Sequence, residues 1–269
     1  MTISDLQSLL GNMTIISGTL SIIGSTMDLS QIIETQRRFA AASSIEELTV
    51  FCSEETLRLG FHSFVYALRV PTNFANAQVI MLDGYPEGWV KRYFEAAHAD
   101  ADPVIAWCVE HVVPVRWSDL VLEPDSHAER VMYEAAEYGL RDGVTMPIHG
   151  PQGELGILSL SLDASPELAR PITERALPYV HLLASHLHQA ALRLSGLHDT
   201  QPSLTTRENE CLRWTADGKT SREIAQLLGV SESTVNFHIN NAMQKLNVVN
   251  RQQGVAKAIL QRKIHPKPF

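Results

Sequence analysis

Residues 204–246 read LTTRENECLRWTADGKTSREIAQLLGVSESTVNFHINNAMQKL. Three capped helices are written into this stretch. Thr205 with Glu208, and Thr220 with Glu223, have the spacing of a capping box. In such a box the cap hydroxyl accepts from the third helical N–H, and the acid reaches back to the cap N–H. Gly218 closes the first helix, Gly229 permits a tight turn after the second, and Ser231 caps a third over 232–246. A last helix is predicted over 251–262. A two-turn helix, a glycine turn and a longer helix make a helix-turn-helix, whose longer helix enters the major groove of double-stranded DNA.

On that longer helix Val235, Ile239, Ala242 and Leu246 recur at helical spacing and face the core. Thr234, Asn236, Phe237, Asn240, Gln244 and Lys245 are left outward. Asn236 and Asn240 lie one turn apart, and asparagine can bond adenine through N6 and N7; the plainer alternative is a solvated helix surface. Lys219, Arg222 and Lys245 are candidates for phosphate contacts, which position without specifying. Charge divides along the chain in the same sense. Residues 201–269 hold ten Lys/Arg against five Asp/Glu, a net +5 within an overall −8, which leaves −13 upstream. A basic tail tethered to an acidic domain suits a unit that approaches phosphates, although chance clustering gives the same division.

Upstream, helices are predicted over 29–42 and 44–59, the second opened by Ser44 and Glu47 at capping-box spacing and stopped by Gly60. Strands follow over 61–70 and 79–82, then a helix over 86–97. Asp102-Pro103 reads as an N-cap with proline at the first helical position, opening a helix to Glu110. A short strand over 113–117 and a helix over 126–138 precede a hairpin of 143–148 with 154–162. A long helix over 171–195, with a kink expected near Pro178, ends the region. The fold class is therefore α+β: an N-terminal α-β-α sandwich with a mostly antiparallel sheet, then an all-α four-helix domain. The breaker-rich 196–203 is the linker between a domain over 27–195 and one over 204–269.

Residues 1–26 stand apart, as a disordered extension or as sequence ahead of a translation start at Met27. The apolar 13–23 lacks a basic flank and a cleavage site, so a signal peptide is rejected. No run of 18 apolar residues exists, so no membrane partner is expected. Three scattered cysteines give neither a disulfide framework nor metal spacing, which fits a cytoplasmic protein. Eleven histidines invite a search for catalysis. His186 and His188 point apart on a helix, and HExxH and GxSxG motifs are missing. No enzyme, metal or cofactor is expected.

The pattern Leu204-Thr-Thr-Arg-Glu208, Cys211 to Thr220, Glu223-Ile-Ala225, Leu228, Ser231 to His238 and Lys245-Leu246 resembles the LuxR-type helix-turn-helix. Tyr85-Pro86, Trp89 to Tyr93, Asp102-Pro103, Trp117, Gly143 to Pro147, Gly156 and Leu158 to Ser161 are similar to the ligand-binding domain of quorum-sensing LuxR-family receptors. That resemblance implies an N-acyl-homoserine lactone as signal ligand. It implies that Trp89 donates to the ring carbonyl, Asp102 accepts from the amide N–H, and Tyr85 and Ser159 donate to the amide carbonyl. Tyr93 and Trp117 would wall the head group, and Val65, Ala67 and Ile157 would line the acyl channel. Singly, Trp89 with Tyr93 reads as core, Asp102 as an N-cap and Ser159 as an ordinary strand serine; the joint occurrence carries the assignment. Val90 stands where some receptors of 3-oxo signals carry arginine, which points to an unsubstituted acyl chain. The implied protein is a homodimer on an inverted repeat, working with RNA polymerase. The alternative is a regulator of this type answering a different small molecule, or none.

Overall fold

The structure, a computed structural model, describes residues 13–16, 19–22, 29–71, 76–151, 153–196, 203–261 and 263–265. Within the segment expected to be an unstructured extension, β1 (Met13–Ile16) and β2 (Thr19–Ile22) pair as an antiparallel hairpin. The rest of that segment, and most of the expected linker, lie outside the described residues.

Helices α1 (Leu29–Ala41) and α2 (Ile45–Arg58) come first. Ser44 caps α2 by accepting from Glu47 N, but the Glu47 carboxylate bonds Ser43 rather than Ser44, so the box is only half formed. β3 (Ser63–Pro71) and β4 (Ala77–Gly84) are followed by α3 (Trp89–Glu95) and α4 (Pro103–Glu110). β5 (Val115–Arg116), α5 (His127–Glu137), β6 (Asp142–His149) and β7 (Leu155–Leu162) complete the middle of the chain. The 30-residue α6 (Pro166–Ser195) closes the domain.

Several bounds differ from the sequence expectation. α3 starts at Trp89 rather than 86, because Gly88 adopts φ 86°, a left-handed conformation that ends one chain direction and starts another. β5 keeps two residues of the five expected. α6 begins five residues early, with Pro166 in its first turn, where a missing N–H costs nothing.

The sheet order is β4-β3-β7-β6-β5, with every neighbour antiparallel. Period-2 alternation sorts side chains to two faces. Phe64, Tyr66, Leu68, Leu158 and Leu160 pack against Phe39, Leu48, Cys52, Val180, Ala184 and Leu187 of α1, α2 and α6. The opposite face meets a second cluster built on Trp89, Val104, Cys108, Trp117, Ala135 and Leu140. The α-β-α layering follows from these two cores.

The C-terminal region holds α7 (Thr206–Ala216), α8 (Ser221–Leu228), α9 (Glu232–Lys245) and α10 (Arg251–Leu260). Both expected capping boxes form, at Thr205–Glu208 and Thr220–Glu223; each such cap is worth about 0.5–2 kcal/mol. Gly229, at φ 66°, makes the turn between α8 and α9. Val235, Ile239, Ala242 and Leu246 are buried, as their spacing requires. Among the described residues no helix is long and apolar enough to cross a membrane.

Candidate functional site

The second face of the sheet carries small side chains in register. Val65 lies opposite Ser159, Ala67 opposite Ile157, and Thr145 approaches Ser159 from the other side. These side chains stop short of α3, α4 and α5, and a cavity of about 120 Å³ remains. Tyr85, Trp89, Tyr93, Asp102, Trp117, Ser159, Val65, Ala67 and Ile157 all line it. The structure therefore brings together every ligand-site residue expected from sequence. Met81, Val90, Phe94, Val104, Ile105, Val131, Met132, Ala135 and Leu140 complete the wall, which is overwhelmingly apolar.

Polar groups gather on one side of this cavity. Asp102 Oδ1 caps α4 by accepting from Val104 N at 2.8 Å, while Asp102 Oδ2 accepts from the Tyr93 hydroxyl at 2.7 Å. The carboxylate thus caps α4 and holds the Tyr93 hydroxyl at the cavity wall. Burial pushes the Asp102 carboxyl above its ordinary range, against the opposing hydrogen bonds from Tyr93, Val104 and Ile105. Burial likewise pushes the Tyr85 and Tyr93 hydroxyls up, so both stay protonated donors.

A hydrogen-bonded chain runs along the sheet beside them. Trp117 Nε1 donates to Thr145 Oγ1 at 2.9 Å, Thr145 and Ser159 hydroxyls meet at 2.8 Å, and Tyr85 bonds Ser159. An indole N–H only donates, so Thr145 accepts from it and can pass its own proton to Ser159. Thr145 is fully buried and, although not among the lining residues, joins Trp117 to Ser159; the family motif leaves it without a role. Its signal is a hydroxyl at an inward position of the β6–β7 hairpin.

Trp89 is held from behind. It stacks on His98 at 5.9 Å between ring centroids and meets Tyr93 edge-on at 5.8 Å. His98 is buried and bonds Glu134 at 3.1 Å, and Arg92 bonds the same carboxylate oxygen at 2.8 Å. That Arg92 hydrogen bond, with a smaller contribution from His98, holds the Glu134 carboxyl below its ordinary value. Among the described residues no acceptor takes the Trp89 indole N–H, which remains available to a ligand.

On α9, Phe237, Asn240 and Gln244 are exposed and Thr234 is half-buried. Asn236 is exposed too, but its Oδ1 accepts from Ser221 Oγ at 2.6 Å and lies 3.5 Å from Arg251 Nη2. The stacked pair is therefore unequal: the Asn240 side chain makes no hydrogen bond among the described residues, and that of Asn236 is engaged. Lys245 departs from its expected phosphate role. Its Nζ bonds Glu208 Oε2 at 2.8 Å and the Ser203 carbonyl at 3.3 Å. Glu208 is 3% exposed, and an unpaired carboxylate there would be costly. Burial alone would raise the Glu208 carboxyl; bonds from Lys245 and the Thr205 N–H outweigh it and hold it low. Lys219 and Arg222 are exposed and suit phosphate contacts. Arg251, on α10, joins this cluster through Ser221 and Asn236, a contact that the spacing on α9 could not reveal.

Comparison with known proteins agrees with both halves of this geometry. Residues 44–191 match the autoinducer binding domain, and residues 202–258 match the bacterial regulatory proteins of the luxR family. The transcriptional activator protein AhyR of Aeromonas hydrophila is 32% identical over 244 residues, covering 87% of this chain and 92% of its own. Among solved structures, SdiA in complex with octanoyl-rac-glycerol superposes with TM-score 0.74 at 30% identity, covering 90% of this chain and 98% of that one. A crystal structure of Escherichia coli SdiA gives TM-score 0.71 at 30% identity, covering 88% and 98%. With a ligand cavity on one sheet face and a helix-turn-helix behind it, this chain belongs to the LuxR family of quorum-sensing transcriptional regulators.

Proposed function

We propose that this chain is a cytoplasmic regulator that binds an N-acyl-homoserine lactone and, as a homodimer, an inverted-repeat promoter site, from which it acts on RNA polymerase. The carrying observation is the division of the cavity into an apolar wall and one polar side. An acyl-homoserine lactone buries a ring carbonyl, an amide N–H and an amide carbonyl, and each unpaired buried group costs about 1–3 kcal/mol. The Trp89 indole N–H meets the ring carbonyl, Asp102 the amide N–H, and Tyr85 with Ser159 the amide carbonyl. The acyl chain runs between Val65, Ala67 and Ile157. Val90 supports an unsubstituted chain. Ligand binding stabilises the fold by mass action. Two recognition helices about one DNA turn apart require a two-fold site, where Asn240, Gln244 and Thr234 face the bases and Lys219 and Arg222 the phosphates.

A second reading has specific support: the related SdiA binds octanoyl-rac-glycerol, whose acyl chain suits the same wall and whose glycerol hydroxyls could meet the same polar groups. Full-length protein expressed with and without N-hexanoyl- and N-octanoyl-homoserine lactone separates the two. The lactone reading expects more soluble protein with lactone present and stoichiometric lactone in its organic extract by mass spectrometry. An extract containing only monoacylglycerol, with yield unchanged by lactone, overturns it.

A further inference from the structure

The engaged amide of Asn236 determines what this side chain can read. Arg251 Nη2 donates to Ser221 Oγ at 2.8 Å, and Ser221 Oγ lies 2.6 Å from Asn236 Oδ1. Arg251 Nη2 also lies 3.5 Å from that same Asn236 atom. A guanidinium only donates, so the atom facing it is the amide oxygen; the –NH2 in that place would set donor against donor. Ser221 is nearly buried in the first turn of α8, and Arg251 is half-buried in the first turn of α10. Two helices therefore fix the amide of a third. Adenine reading needs an acceptor for N6 and a donor for N7 on one amide, whereas guanine offers two acceptors, O6 and N7.

We propose that Asn236 is a donor-only reader that selects guanine over adenine in the half-site, with Ser221 and Arg251 as positioning residues that hold its amide in that orientation. This rests on the assignment of α9 as the DNA-reading helix. Asn240, whose amide is unconstrained, keeps the adenine-reading capacity that Asn236 lacks.

The test is selection from randomised duplex DNA by the full chain purified with N-octanoyl-homoserine lactone, followed by binding to single-base variants of the selected site. Asn236→Ala identifies the base pair concerned by flattening its preference. Wild-type protein should hold guanine there and bind the adenine variant about tenfold or more weakly, within the range of one bidentate contact. Ser221→Ala and Arg251→Ala free the amide by separate routes, so either one that folds suffices. Each should bring adenine to within a few-fold of guanine at that base pair alone, with other positions unchanged. Adenine selected there by wild type, a profile unchanged in both positioning variants, or no flattened position in Asn236→Ala overturns the proposal. Wild-type protein that selects no sequence at all indicts the DNA-reading assignment itself.

Discussion

The two faces of the five-stranded sheet are made by the same strands and behave differently. On one face Phe64, Tyr66, Leu68, Leu158 and Leu160 are sealed beneath α1, α2 and α6. On the other, their immediate neighbours Val65, Ala67, Ile157 and Ser159 leave a cavity under α3, α4 and α5. Neither topology nor register distinguishes the faces; side-chain size and the placement of hydroxyls do. A sheet can thus hold its fold with one face and reserve the other for a ligand, because cores are stabilised by close packing and pockets by its local omission.

The largest effect should separate adjacent residues. Leu158→Ala removes a fully buried side chain from the packed face and should cost about 2–5 kcal/mol in denaturant unfolding without added ligand. Ile157→Ala, on the cavity face, should cost about 1 kcal/mol or less in the same experiment. Equal losses would show that Ile157 is packed as tightly as Leu158 and that the cavity does not relieve its face.

Asp102→Asn keeps a capping oxygen for α4 but loses the charged acceptor. Affinity for N-octanoyl-homoserine lactone should fall by about 10- to 100-fold in calorimetry, the range of a hydrogen bond to a charged group. The pH dependence has a fixed sign. Burial raises the Asp102 pKa in the folded state, so folding is opposed as pH rises from the unfolded pKa through the folded one. The ligand N–H favours the carboxylate, so affinity should fall as pH drops through that raised pKa, and Asp102→Asn should flatten the profile.

Smaller changes sharpen the same contrast. Ser159→Ala shortens the Trp117–Thr145–Ser159 chain and should cost about 0.5–1.5 kcal/mol of ligand binding in the same calorimetry. The smallest effect concerns Val90: binding should modestly favour the unsubstituted acyl chain over its 3-oxo counterpart, and Val90→Arg should narrow the difference.

Local signals in the sequence reach much of this. Aromatic and β-branched residues over 61–70 and alternation over 154–162 place two central strands, and the threonine–glutamate pairs at 205–208 and 220–223 place two helix starts. The cavity residues are legible only through the resemblance to quorum-sensing LuxR-family receptors; singly, Trp89, Asp102 and Ser159 read as a core residue, an N-cap and an ordinary strand serine. What escapes is set by partners distant in the chain. Lys245 is committed to Glu208, 37 residues away, and Asn236 to Ser221 and Arg251, 15 residues to either side. Helical periodicity reports only which way a residue points. Thr145 escapes similarly, since only the β6–β7 register sets it beside Ser159. Gly88 shortens α3 through a backbone conformation that apolar periodicity does not register.

The most direct test is calorimetric titration of the full-length wild type and Asp102→Asn with N-octanoyl-homoserine lactone and, separately, 1-octanoylglycerol. A lactone-gated regulator shows saturable binding near one per chain for the lactone, tighter than for the glyceride, and weakened by the substitution. Failure to bind the lactone, or binding unaffected by the loss of the Asp102 carboxylate, would contradict the account.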